Sequence, residues 1–449
     1  MGDSMAAAPP VSRPVLQDNG YAWCVLAFLT LAYTLAFIDR QLLNLLVDPI
    51  KQDLLLSDTR ISLLQGLAFM ATYIAFGPLF GRWADMGNRR NILVFGVTLW
   101  STFTLLCGMA SSFWGLFLAR AGVGAAEACL APAAWSLLSD YFSRERLPRA
   151  MSLFLVAPYL GGGLALITGG AVIGTLAGLD GLPAWLAAFT PWQLTFIVVG
   201  MPGILLGLSM FVIREPARSK AGGAGVDDRA YTLREVLAFL VARRDFYARF
   251  YVGVSLLVII LYALPAWMPA FLMRHHGADA ATVGYHYGIL VVVMGSVGVL
   301  SGPFFGRWLM SRGHGDAQVR AAAIACLGVI PFCAALPLVP SYQWALVMAA
   351  GATFFYSLPQ AMCASALQMV TPNRMRGVAV SLYVFAISVF GLGLAPTAVA
   401  LVTDLGFRDT ARVGESLAIV CVLCAATGAW LLFTALPRYR EALVREEAF

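Results

Sequence analysis

Four charged side chains interrupt otherwise apolar runs and are the residues best placed to do chemistry: Asp39 and Arg40 in one run, Arg120 and Glu127 in another. A charge at membrane depth is costly, and the default reading of one is functional. Arg120 and Glu127 are seven residues apart, so 700° of helical rotation sets them on one face, about 10 Å apart along the axis and too far for a direct bond. An acid at Glu127 can shed its charge by taking up a proton. Arg120 and Asp39 form an ion pair if their helices sit side by side, and Arg40 snorkels to the nearer interface. Two acids with two arginines suit proton handling or recognition of a charged head group. The deep segments carry no His/Cys/Asp metal cluster and no nucleophile with its base. We therefore expect no catalytic residue, metal or cofactor, and no enzymatic activity.

The elements that must position these groups are membrane helices. Of 449 residues, 60% are hydrophobic and 12% charged, and the mean hydropathy is +0.78. Soluble domains carry roughly 25% charged residues; here a bilayer has to solvate the apolar excess. Twelve apolar stretches read as spans, at 22–46, 61–82, 91–110, 113–139, 149–176, 190–213, 247–272, 282–307, 319–338, 343–369, 377–401 and 413–436. Among 30 Lys and Arg, only Lys51, Arg60, Arg274, Arg408 and Arg412 fall on one side, and Arg40 and Arg120 lie within spans. The bias sets both termini in the cytoplasm and suits a plasma (inner) membrane.

The polar stretch 214–246, with an amphipathic helix expected near Thr232–Leu240, separates two groups of six spans (22–213 and 247–436), flanked by tails 1–21 and 437–449. The first twenty residues lack the apolar core of a signal peptide. Neither lysine follows a glycine in a Gly-Lys-Ser/Thr loop, so no nucleotide-driven motor is expected. The dispersed arginines do not form a nucleic-acid face. Seven of the eight cysteines lie in later apolar segments and Cys24 opens the first; Cys421-x-x-Cys424 sits within one continuous apolar run.

A direct repeat supports the division. Gly77-Pro-Leu-Phe-Gly-Arg-Trp83 and Gly302-Pro-Phe-Phe-Gly-Arg-Trp308 differ at a single position. The first copy runs on as Gly81-Arg-Trp-Ala-Asp85-Met-Gly87-Asn-Arg89-Arg90. This resembles the loop signature of the major facilitator superfamily. The resemblance implies an all-α membrane protein of twelve helices in two six-helix bundles, working by alternating access as a monomer. It also implies a cytoplasmic gate of Gly81, Asp85, Gly87, Arg89 and Arg90, with Asp85 facing the helix that follows Arg374-Met-Arg376-Gly377. Asp140 and Arg144 would complete the charge network. The second copy has Met310 in place of Asp85.

Phe37-Ile-Asp39-Arg40, Arg120-Ala-Gly-Val-Gly124-Ala-Ala-Glu127 and the turn Asp48-Pro-Ile-Lys-Gln-Asp53 are similar to the spinster family, chiefly over the first five spans. Gln41 departs from that pattern. The resemblance implies a sphingolipid or lysolipid cargo, in some members moved with protons. Asp39 and Glu127 are then expected to couple protons. Arg40, Arg120 and Glu127, with Tyr33, Phe37, Tyr356 and Tyr383, are expected to hold an amphipathic or lipid-like substrate. In-span amides are few (Asn44, Gln65, Gln193, Gln360, Gln368) and aromatics plentiful, Tyr73 and Trp267 included, which disfavours a sugar or nucleoside cargo. A multidrug exporter and an organic-anion carrier of the same superfamily are the alternatives. Glycines 161–163, 169–170, 391 and 393, with Pro158 and Pro396, mark the fifth and eleventh spans as bending or close-packing points.

Overall fold

The computed structural model describes residues 18–143, 146–177, 188–216, 233–372 and 375–447; among them every regular element is helical. Twelve helical stretches are long and apolar enough to cross a membrane. In the first half these are span 1 (Gly20–Leu45), span 2 (Asp58–Ala84), span 3 (Arg89–Gly108), span 4 (Phe113–Tyr141), span 5 (Arg149–Leu176) and span 6 (Pro191–Val212). The second half holds span 7 (Arg244–His276), span 8 (Ala280–Ser311), span 9 (Ala317–Leu338), span 10 (Tyr342–Met369), span 11 (Val378–Phe407) and span 12 (Thr410–Val444). Each overlaps one of the apolar stretches read from the sequence. The ends extend further wherever a cap or polar turn continues the hydrogen-bond ladder. Side chains of Asn19, Ser57, Asn88, Ser112, Asp279 and Ser341 cap helix starts, satisfying amides that would otherwise lack a partner.

A short helix (Val47–Asp53) follows span 1 where the sequence suggested a turn. The linker helix is found at Leu233–Ala242; residues 217–232 lie outside the described set. Several spans are interrupted. Span 2 breaks at Gly66, span 5 between Phe154 and Ala157, and span 10 at Leu358 and Pro359. Span 11 carries two π-helical segments, Ser388–Leu394 and Val402–Phe407. Pro158 follows the break in span 5, and Gly391, Gly393 and Pro396 lie in or just after the first π segment of span 11, as expected of residues that loosen the helical ladder, whereas Gly169 and Gly170 lie within an uninterrupted helix.

The halves meet through backbone as well as side chains. A Cβ on Gly288 would lie 2.7 Å from the carbonyl oxygen of Gly163, and one on Gly163 would lie 2.5 Å from that of Gly288. Only glycine lets spans 5 and 8 come this close. Spans 2 and 11 touch in the same way: a Cβ on Gly66 would stand 2.6 Å from the Leu392 carbonyl oxygen. Gly77, eleven residues on and so within about 20° of the same face, has nothing within 4 Å. The two halves are thus closed at the end opposite the chain termini and diverge along span 2 toward the end that holds them.

Polar ties fasten the closed end. Arg274 of span 7 grips Asp48 (2.6 Å) and Asp58 (2.7 Å) of the first half, and Lys51 adds a 2.8 Å bond to Asp58. The Thr59 amide and hydroxyl both donate to Asp404 at 2.7 Å. The Gln65 side chain donates to Asn44 (3.1 Å) and across to the Ala266 carbonyl (3.0 Å). Asn44 in turn bonds Gln41. Two of the few in-span amides, Asn44 and Gln65, therefore serve a structural tie. Gln193 does likewise, bonding the Ala110 carbonyl at 2.9 Å and capping span 6.

Candidate functional site

Spans 1 and 4 lie side by side, and Arg120 and Glu127 do share one face of span 4: each reaches a consecutive residue of span 1. The pairing differs from the expectation. Arg40 Nη2 forms an ion pair with Glu127 Oε1 rather than snorkelling outward. Arg120 Nη1 donates 3.1 Å to the backbone carbonyl of Asp39, not to its carboxylate. Neighbouring residues on a helix point about 100° apart. The rotation of span 1 aims Arg40 at span 4 and turns the Asp39 side chain toward span 3, where the Thr104 hydroxyl donates to Oδ2 at 3.0 Å. All four side chains are nearly removed from solvent: Asp39 is 3% exposed, Arg120 and Glu127 1% each, and the Arg40 side chain 10%.

Aromatic faces surround the cation. The Arg40 guanidinium carbon stands 4.7, 4.6 and 4.9 Å from the ring centres of Phe37, Phe69 and Tyr73. Desolvated contacts of this kind hold a cation at a depth where water is scarce. Phe69 was not among the residues read from the sequence. Its signal was there: Phe69 and Tyr73 are four apart and share a helix face. Several polar atoms at the site are buried without a protein hydrogen-bond partner, namely Asp39 Oδ1, Glu127 Oε2, Arg40 Nε, Arg120 Nε and Arg120 Nη2. Each unmade bond costs about 1–3 kcal/mol, so the locus holds hydrogen-bonding capacity that the protein itself does not use.

Next to it, between the halves, lies a cavity of about 200 Å³. Phe37 and Gln41 of span 1, Tyr159 of span 5, Tyr262 of span 7, and Tyr356 and Gln360 of span 10 line it. Phe37 and Tyr356 are thus brought together. Tyr33 lies behind, stacked on Phe154 at 4.7 Å and edge-on to Phe37. Tyr383 does not line this cavity; it packs against Phe250 and Tyr251 in the second half. Trp267 is likewise internal, donating to the Pro396 carbonyl at 2.9 Å. Tyr159 and Tyr262 were missed, because spacing alone does not tell which side of a uniformly apolar helix faces its partner bundle.

The loop after span 2 forms part of the expected charge network and adds a member. Arg89, 1% exposed, bonds Asp140 at 2.5 Å, Ser136 Oγ at 2.9 Å and Glu215 at 2.7 Å. The Arg90 amide also donates to Glu215, at 3.0 Å. Glu215, just past span 6, was not singled out in the sequence. Gly87 ends the helix of span 2 in extended conformation. Gly81 meets nothing within 4 Å, so it makes no close helix contact here. The Asp85 side chain, Arg144 and the partner segment at Arg374 and Arg376 fall outside the described residues or side chains.

Twelve spans in two related halves, closed at one end around a buried charge locus, are the build of a secondary transporter. The chain belongs to the Major Facilitator Superfamily, whose family profile matches residues 29–396. It is 27% identical to an efflux pump of the superfamily from Mycolicibacterium smegmatis, covering 95% of both chains. It is 26% identical to the sphingosine-1-phosphate transporter of Mus musculus, over 86% of this chain and 70% of that one. A crystal structure of a bacterial homologue of the human lysosomal transporter spinster, inward-facing and unoccupied, superposes with a TM-score of 0.80 at 25% identity, covering 96% and 99% of the two chains.

Proposed function

We propose that the protein is a proton-coupled carrier of an amphipathic or lipid-like molecule, working by alternating access from a plasma membrane with both termini in the cytoplasm. The observation that carries this reading is the Arg40–Glu127 pair: buried, its cation ringed by three aromatic faces, one of which, Phe37, lines the cavity between the halves. Glu127 has one oxygen free of protein partners. A proton arriving there weakens the hold on Arg40. The released guanidinium then serves an anionic or zwitterionic head group, while Phe37, Tyr159, Tyr262 and Tyr356 accept the tail. Asp39, bonded to Thr104, is the second acid of the relay, and Arg120 fixes the backbone between the two. In this reading the protein works as a monomer, and Asp85, Gly87, Arg89, Arg90, Asp140 and Arg144 gate the cytoplasmic end.

The likeness to the mycobacterial efflux pump supports a second reading, export of varied apolar compounds through the same cavity. An organic-anion carrier fits less well, because the residues lining the cavity between the halves are mostly apolar or aromatic and include no cationic side chain. Reconstituted vesicles under an imposed pH gradient separate these readings. Proton flux is recorded on adding lysophosphatidylcholine, ethidium or benzoate in turn. Flux with the lysolipid alone, lost in Glu127→Gln, is the expected result. Flux driven equally by ethidium selects the exporter, and no flux with any of them removes proton coupling.

A further inference from the structure

The first half carries a second cavity unrelated to the charge locus. It is a groove of about 500 Å³ between spans 2, 3 and 4. Its walls include Leu79 and Trp83 of span 2, Phe95, Leu99 and Phe103 of span 3, and Ala125 of span 4. No residue of the second half lines it, so it lies outside the passage between the halves. Leu79, Trp83 and Phe95 are 60%, 56% and 53% exposed. Large apolar side chains bare at span depth face acyl chains rather than water.

One charge borders this apolar groove. Arg82 lines it near the end of span 2 and has no hydrogen bond, ion pair or ring contact among the described residues. Its counterpart in the repeated heptapeptide behaves differently: Arg307 lies over the Phe304 ring at 4.6 Å. Leu79 stands where the second copy has Phe304, and this is the only difference between the two copies. The loss of that ring leaves the first guanidinium uncommitted beside the apolar groove.

We propose that this groove is a binding site for a resident anionic phospholipid, taken from the leaflet on the side of the chain termini. Its phosphate pairs with Arg82 and one acyl chain lies between spans 2, 3 and 4. Basic sites between membrane helices recognise acidic head groups in this manner. The lipid is a structural ligand and not cargo, so the site stands or falls independently of the Arg40–Glu127 chemistry.

Native mass spectrometry of the purified full chain tests it, with equimolar dipalmitoyl phosphatidylglycerol and phosphatidylcholine as probes. The wild type retains phosphatidylglycerol in preference. Arg82→Gln lowers that retention by about fivefold, the weight of one basic residue at an anionic surface, while Arg82→Lys keeps it. Leu79→Phe, which rebuilds the second copy's ring under the arginine, lowers it as well, and Glu127→Gln leaves it unchanged. Equal retention of the two lipids by the wild type, or retention indifferent to Arg82→Gln, marks the bound lipid as ordinary solvating lipid and overturns the site. Thermal unfolding of each variant in detergent separates lost binding from lost fold.

Discussion

Arg40 and Glu127, eighty-seven positions apart in the chain, meet inside the first bundle, and the cation of the pair sits among the rings of Phe37, Phe69 and Tyr73. Phe37, against which Arg40 stacks, lines the cavity between the halves, whereas the neighbouring Asp39 carboxylate turns toward Thr104. The two acids of the site therefore have separate partners, and variants of each give separate outcomes.

Removing the charge of Glu127 uncouples transport from protons. In Glu127→Gln, substrate accumulation driven by a pH gradient falls by about tenfold or more, the scale of a coupling free energy of ~1–3 kcal/mol, while equilibrium exchange persists. Arg40→Lys also suffers, because an ammonium does not reproduce the guanidinium's stacking. Vesicle accumulation and exchange assays run side by side check this; equal loss of both in Glu127→Gln counts against a coupling role.

The carboxylate of Asp39 accepts a 3.0 Å hydrogen bond from the Thr104 hydroxyl. Thr104→Val leaves that oxygen buried and unpartnered, at a cost of about 1–3 kcal/mol. The pH profile of transport shifts in Thr104→Val and loses one limb in Asp39→Asn. A profile unmoved by both substitutions assigns Asp39 to structure alone.

Arg274 holds the closed end by bridging the halves. Arg274→Ala strips the fully buried Asp58 of its strongest partner, leaving Lys51, and breaking a buried pair costs about 3–5 kcal/mol. Spin labels at Arg60 and Arg408 report the outcome as a population at longer separation. An unchanged distance distribution would falsify the latch.

Gly77 has open space around it here, although it shares a face with the tightly packed Gly66. Gly77→Leu leaves the thermal midpoint of this state nearly unchanged but abolishes transport, because the halves cannot then close at the termini end. Gly288→Leu acts the other way and destabilises the present state through its clash with Gly163. Accessibility of cysteines introduced at either end distinguishes the two; a Gly77→Leu protein that transports normally refutes the account.

Asp316, between spans 8 and 9, shows a charge effect outside the membrane. Burial pushes its carboxyl up, but hydrogen bonds from Arg320 (2.8 Å) and Arg440 (2.7 Å) outweigh this and hold it below the usual carboxylate range. A group depressed in the folded state contributes stability above its unfolded value of about 3.9 and loses it as pH falls through the folded value. The thermal midpoint is therefore flat near neutrality and drops below about pH 4. Asp316→Asn flattens that acid limb and removes about 1–3 kcal/mol at neutral pH. An acid limb of unaltered steepness in the variant assigns it to other carboxylates.

Twelve spans, the two halves and the four deep charges were legible because each depends on composition over a window or on rare residue types. That Arg120 and Glu127 share one face of span 4 followed from their seven-residue spacing. The choice of partners did not: a rotation of 100° on span 1 exchanges Asp39 for Arg40, and the apolar run around them carries no periodicity to fix it. Gln65, read as an in-span amide, turned out to tie span 2 to span 7, across a separation that no local pattern encodes. Glu215 escaped notice because a carboxylate after a span is ordinary in sequence and becomes special only beside Arg89.

By itself the sequence determined that this chain crosses a bilayer twelve times in two related halves and keeps two acids and two arginines at depth, since hydrocarbon admits no other fate for such apolar runs. Tertiary structure alone decided which arginine meets which acid, which aromatics face the cavity and which end of the molecule is shut. Those outcomes hang on helix rotation and on backbone contacts at Gly66, Gly163 and Gly288, and helices of nearly uniform apolarity leave both to packing.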